Sequence, residues 1–329
     1  MLDQVYPRLV LELVKNKHLD GIDVNIANGL YEADRLNEFI YSELLKLVYK
    51  KNTDSSIGLH FGQYLSPSAL CDLSRLIVTS KNIVIAFDLL KKYHRQLGTC
   101  FFPVISNEKG VFSIALIYPY KSHVSATQRR FCAESTFSYL VNSIRSMGQK
   151  NTLDLSATFD YPKPEYFNDY RSTFGEKVFF EQGVSVLRVN VNHLEESIST
   201  SDPIMHQVYL SKCLENELQF SGETEFRKLV TSTMLMHYPE SLHGEYAAEL
   251  MGMSLRVLQR RLRQDGLTFL NLVNNIRCEL AKMYLVVENK GVEETSKKLG
   301  FASKSGFLRF FKCQFGGTPG EYMSRYNNS

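Results

Sequence analysis

Two clusters of basic and amide side chains in the last third of this 329-residue chain are the groups best placed to recognise another molecule. In the first, Arg256, Gln259, Arg260 and Arg263 recur at intervals of one to four residues, in a stretch from Gly252 to Gln264 that holds four arginines and no acid. An arginine can pair bidentately with guanine O6 and N7, a glutamine with adenine N6 and N7, and both can also grip phosphates. In the second cluster Lys304, Ser305, Leu308, Arg309 and Lys312 fall at comparable intervals. A solvated basic face on an ordinary helix is the commoner fate of such a run, so the flanking elements decide between the two.

Those elements are helix, sharp turn, helix, and they occur twice. Over residues 245–266, Gly252 can take the left-handed conformation that ends one helix, and Ser254 can cap the next. Leu255, Leu258 and Leu262 then form the buried stripe, which leaves Ser254, Arg256, Gln259, Arg260 and Arg263 outside. Over residues 292–316, Gly300 and Ser303 take the same parts. Counted from Ser254 and from Ser303, apolar residues stand at the fourth and eighth positions (Leu258, Leu262; Phe307, Phe311). Basic residues stand at the sixth and ninth (Arg260, Arg263; Arg309, Lys312), and each copy ends in glycine. Repetition at this spacing is a strong signal. Between the copies, residues 268–289 contain no Gly or Pro and place Phe269, Leu272, Val273, Ile276, Leu280, Met283, Tyr284 and Val287 at helical spacing. A helix of about twenty residues is roughly 30 Å long, close to the ~34 Å between successive major-groove faces. The expected ligand is double-stranded DNA, read in two adjacent major grooves, with more of the base discrimination in the Arg/Gln-rich first reader.

Composition agrees with that division. From Glu223 onward there are 15 Lys+Arg against 11 Asp+Glu, whereas the first 222 residues carry 23 against 24. The positive balance therefore belongs to the C-terminal third, where phosphates would be met. The rest of the chain reads as an α+β domain over 1–201. Helical periodicity appears near Tyr6–Lys17, Glu32–Tyr49, Thr79–Leu97 and Thr127–Ile144. Strand-like runs cover Cys100–Ser106, Val111–Tyr118, Leu153–Phe159 and Val184–Val191, the first two joined by a turn at 107–110. Asp202-Pro203 can open a connecting helix, and residues 202–222 end at a Ser221-Gly222 hinge. An all-α domain with two helix-turn-helix motifs joined by a long helix follows over 223–329.

Other chemistry finds little footing. The six cysteines at 71, 100, 132, 213, 278 and 313 form no CxxC pair and read as reduced thiols. His60 and His94 lack companions at metal-ligand spacing, so no metal is expected. Tyr93, Phe101, Phe102, Tyr118 and Tyr120 can line an apolar pocket, although such aromatics are more often core. Asp154 with Asp160, and Glu195 with Glu196, make no convincing acid/base pair. No GxSxG, HExxH or phosphate-binding glycine loop occurs, so neither an enzyme nor a bound cofactor is expected. There is no signal-peptide pattern at the N-terminus and no window of ~20 apolar residues, which points to a cytoplasmic, nucleoid-associated protein with no membrane partner.

The C-terminal residues resemble the DNA-binding domain of the AraC/XylS family of bacterial transcription regulators. The match runs from Met253-Ser254 through Leu258-Gln259-Arg260-Arg261-Leu262 to Gly266, then Arg277 through Ala281 and Leu285. It is densest at Leu299-Gly300-Phe301, Ser305, Phe307, Arg309, Phe311-Lys312, Phe315-Gly316 and Thr318-Pro319 through Tyr322. Thr295 and Ser296 depart from the family's usual Ile-Ala pair, and Met323 from a frequent arginine. The N-terminal part resembles the effector domain of one AraC branch, labelled arabinose-binding although its ligands vary. The residues that carry this are Ile57–Gly62, Phe87–His94, Tyr161–Pro164, Tyr170, Phe174-Gly175 and Phe180. These resemblances imply a transcription activator with RNA polymerase as a further partner, a small-molecule effector, and homodimerisation. Two readings of the N-terminal part stay open: an effector-binding sensor, or a dimerisation or protein-contact module without a small ligand.

Overall fold

A computed structural model describes residues 45, 56–66, 68, 71–97, 99–119, 124–148, 153–190, 196–219 and 226–326. The expected helix near Tyr6–Lys17, nearly all of that at Glu32–Tyr49, and the Ser221-Gly222 hinge lie outside the described residues. Among the described residues, the first whole helices are α1 (Ile57–Tyr64), α2 (Asp72–Val78) and α3 (Ile83–Tyr93). The helix expected from Thr79 begins later, because Asn82 turns out of the chain and its side chain accepts the Ile85 N–H at 3.0 Å. It tightens into a 3₁₀ turn at His94–Leu97. Strands β1 (Phe102–Glu108) and β2 (Val111–Ile117) form the expected hairpin. Its two loop residues, Lys109 and Gly110, both take positive φ, the conformation a two-residue hairpin loop requires. The long helix α4 (Ala126–Ser146) is capped by Ser125, which accepts from Gln128 N. Then follow β3 (Asp154–Thr158), α5 (Phe167–Phe174), β4 (Val178–Phe179) and β5 (Ser185–Asn190).

The five strands make one sheet in the order β1-β2-β5-β3-β4, antiparallel throughout except for the parallel β3–β4 pair. Side chains alternate across it. Phe112, Ile114, Leu116, Leu155, Ala157, Leu187 and Val189 face a core shared with α1–α5, where Phe87, Tyr93, Phe137, Phe159 and Tyr170 are buried.

The sheet's other face is covered as well. After α6 (Pro203–Gln219) the chain folds into α7 (Phe226–Met236), α8 (Gly244–Leu250), α9 (Leu255–Gln264), α10 (Phe269–Lys282), α11 (Val292–Lys298), α12 (Lys304–Phe315) and α13 (Pro319–Tyr326). Phe102, Ala115, Ile117, Val184 and Val186 of the sheet side join Phe226, Val230, Met234, Leu280 and Met283 in a single buried cluster. Around it Lys290 Nζ reaches Glu108 at 2.8 Å, Glu288 at 3.2 Å and Glu294 at 3.4 Å. Ser106 donates to Glu288 at 3.3 Å. Gly183 sits so close that a Cβ there would lie 3.1 Å from the Tyr322 hydroxyl and 3.6 Å from Val286. The two halves are thus continuous through one core. Among the described residues, no helix is long and apolar enough to cross a membrane.

Candidate nucleic-acid interface

Each helix-turn-helix is set by its turn. The first helix, α8, ends where Gly252 takes φ 63° and the Met253 N–H bonds back to Ala248 O at 3.0 Å. Helix α11 ends the same way, with Gly300 at φ 66° and Phe301 N bonded to Ser296 O at 3.1 Å. Only a residue without Cβ takes this conformation freely. At Gly300 a Cβ would also come within 2.9 Å of Leu242 Cδ1. The second helix of each pair then starts on its serine: Ser254 accepts from Val257 N at 3.4 Å and Ser303 from Gly306 N at 3.2 Å. The copies differ by one residue here, since Ser254 stands two places after its glycine and Ser303 three.

The burial that follows separates a dry face from a wet one. Leu258 and Leu262 of α9, and Phe307 and Phe311 of α12, are fully buried. On the opposite side Ser254, Arg256, Arg260 and Arg263 are exposed and Gln259 is half-buried. In α12 Lys304, Ser305, Arg309 and Lys312 are exposed and Leu308 is half-buried. Within the described residues none of these cations is in an ion pair, so their charge stands available to an anion. Two neighbouring arginines behave otherwise. Arg261 lies over the Phe226 ring at 4.0 Å. Arg277 lies over Phe301 at 4.2 Å and donates to Leu299 O and Gly300 O at 3.1 and 3.3 Å. They pack the module together. Arg277 was not singled out from spacing, although its place on the long helix opposite a turn glycine is the signal that marks it.

Helix α10 is capped by Thr268, which accepts from Asn271 N at 3.1 Å. Its buried stripe holds Leu272, Val273, Ile276, Leu280 and Ala281. The expected helix over 268–289 is regular only to Lys282, because Met283–Val287 widens into a π turn. There the side chains of Met283, Leu285 and Val287 are all buried, and such widened turns are frequent at functional sites. Elsewhere, His94 is enclosed between the Lys91 carbonyl and Ser232, at 3.0 and 3.4 Å, and its burial lowers its pKa. His60 meets Ser56 at 3.3 Å. Tyr93, Phe101, Phe102 and Tyr118 are buried, and Phe102 faces the C-terminal half while the other three face the α1–α5 core. Tyr120 lies outside the described residues.

The arabinose-binding domain of AraC transcription regulators, N-terminal, matches residues 18–198, more than half of the chain. A helix-turn-helix domain matches residues 247–325. The chain belongs to the AraC family of transcription regulators. As an AraC-family protein it is a DNA-binding transcriptional regulator, with an α+β N-terminal part and a helical C-terminal part. It is 25% identical over 269 residues to the ornithine utilization regulator of Pseudomonas aeruginosa, covering 82% of this chain and 78% of that one. It is 20% identical over 323 residues to the transcriptional regulator VqsM of the same species, covering 94% and 95%. With the transcriptional activator NphR of a Rhodococcus species it shares 33% identity over 79 residues, 24% of each chain.

Proposed function

We propose that this AraC-family regulator activates transcription by placing α9 and α12 in two successive major grooves on one side of its operator. The observation that carries this is the pair of exposed basic faces, each on a serine-capped helix with a buried back, one preceding α10 in the chain and one following it. Arg256, Gln259 and Arg260 read base edges in the first groove. Arg309, with Ser305 and Leu308, reads the second, while Ser254, Arg263, Lys304 and Lys312 hold phosphates. The regulator works in the cytoplasm by binding rather than by catalysis, as a homodimer that contacts RNA polymerase. Genome-wide mapping of its bound sites, followed by binding of the recovered operator to Arg260→Ala and Arg309→Ala chains, tests the reading. Unchanged affinity in both would sink it.

A small-molecule effector governs this binding. What supports that reading is a cavity of about 200 Å³ between the halves, lined by Lys91, Val104 and Ser106 on one side and by Tyr238, Met283 and Lys298 on the other. A ligand held by both walls favours one arrangement of the halves over others, which is what a differential effect on DNA binding requires. Thermal shifts against a metabolite panel test it, using the full chain because the isolated N-terminal part would bare Phe102, Ile117 and Val186. The effector's own melting-temperature rise should vanish in a Val104→Trp chain that fills the cavity. If no compound in a broad panel moves the melting temperature, the N-terminal part serves dimerisation instead.

A further inference from the structure

The Cys100 and Cys132 sulfurs lie 3.6 Å apart, and no other two cysteine sulfurs come within hydrogen-bonding reach among the described residues. We propose that these two residues form a reversible disulfide, made by exchange with a low-molecular-weight disulfide, and that its formation loosens the C-terminal half from the sheet. This rests on the contact between the halves and is independent of which DNA or effector the regulator binds.

The pair has the asymmetry that exchange needs. Cys100 is half-buried, in a bend just before β1, and is the less buried of the two. Cys132 is 3% exposed, in the second turn of the 21-residue helix α4. The Cys100 sulfur beside it, and then burial, hold its thiol well above the usual range, so Cys100 is the one that attacks first. The Cys100 thiolate attacks one sulfur of the small disulfide and releases one thiol as its leaving group. Cys132 then gives up its proton and attacks Cys100 Sγ, which expels the second small thiol. Two cysteine thiols are oxidised, one disulfide is reduced to two thiols, and the electrons balance. In a reducing compartment such a bond is transient, which suits a sensor rather than a structural brace.

The link to the rest of the molecule is two residues away. Bonding requires the sulfurs to close by roughly 1.5 Å, to about 2.05 Å, and the bend moves more readily than a residue packed inside a long helix. Cys132 belongs to the α1–α5 core, whereas Phe102 packs into the cluster shared with α7 and α10 and meets the His94 ring at 6.1 Å. Drawing Cys100 towards α4 therefore pulls the start of β1 away from the C-terminal half.

The full-length protein, equilibrated with oxidised glutathione, is digested with trypsin without reduction and mapped by mass spectrometry. Each of the tryptic peptides 96–109 and 131–145 holds one cysteine. The expected result is a crosslink between them with loss of two hydrogens, reversed by a thiol reductant. Exposed Cys313 serves as the reactivity control. Cys132→Ala should instead leave Cys100 as a glutathione mixed disulfide. Hydrogen exchange across 226–236 and 283–287 should quicken several-fold in the crosslinked wild type and stay unchanged in Cys132→Ala treated alike. The disulfide is overturned if Cys313 is fully modified while Cys100 and Cys132 remain thiols, if either is joined to another cysteine, or if wild-type Cys100 stops at the mixed disulfide. Unchanged exchange in the crosslinked wild type overturns the coupling to the C-terminal half.

Discussion

Arg260 and Arg309 occupy matching positions, six residues beyond the serine that caps each helix, and both are exposed while the leucines or phenylalanines behind them are buried. If each reads a base edge, truncation to alanine weakens operator binding by about 1–3 kcal/mol, measured by titration of the mapped operator. Arg261 is the control that separates charge from reading. It is spent on the Phe226 ring, so Arg261→Ala should lower the unfolding midpoint while leaving the preference among operator variants unchanged. Lys312, read as a phosphate contact, should behave in a third way. Its removal weakens binding evenly across sequences and reduces the slope of log K against log salt by about 1. Their exposure was legible in the sequence because the two sides of a helix are a local pattern, with charge outside and aliphatic or aromatic side chains inside at helical spacing. Arg261 and Arg277 show the limit of that pattern, since a basic residue beside the reading face looks the same in sequence whether it meets solvent or a ring.

The helices were legible where caps announce them. Ser254 and Ser303 end up at the first turns of α9 and α12 with their hydroxyl oxygens on backbone N–H groups, and Ser303→Ala should cost roughly 1 kcal/mol of stability in chemical denaturation. Gly300→Ala should cost more than that cap does. It forces a side chain into a left-handed backbone and against Leu242, whereas Gly252 has the same φ but open space around it and makes the comparison that isolates the clash. A Gly300→Ala loss no greater than that of Gly252→Ala would contradict the close approach. Short elements escaped the sequence reading. Helices α1, α2 and α5 have only seven or eight residues, too few for periodicity to stand out, and β4 has two. The π turn at Met283–Val287 was also hidden, because its apolar residues continue the helical spacing of the segment before it.

At the scale of the whole molecule, the sheet is sandwiched between the helices of its own half and those of the DNA-binding half. A signal for this stood in the sequence, since Val111–Ile117 is apolar at nearly every position instead of alternating with polar residues, the mark of a strand covered on both faces. What covers the second face is a matter of long-range packing that no local pattern encodes. Ile117, fully buried on that face, tests the coupling: Ile117→Ala should cost about 2–5 kcal/mol and lower the thermal transition of both halves together. Two separate transitions with only the first displaced would contradict a shared core. The paired readers remain the central claim, and protection of the mapped operator from chemical attack tests it most directly. Two protected major-groove segments on the same side of the duplex, their centres about 10–10.5 base pairs apart, are the predicted result. A single protected segment, or two on opposite sides, would contradict it.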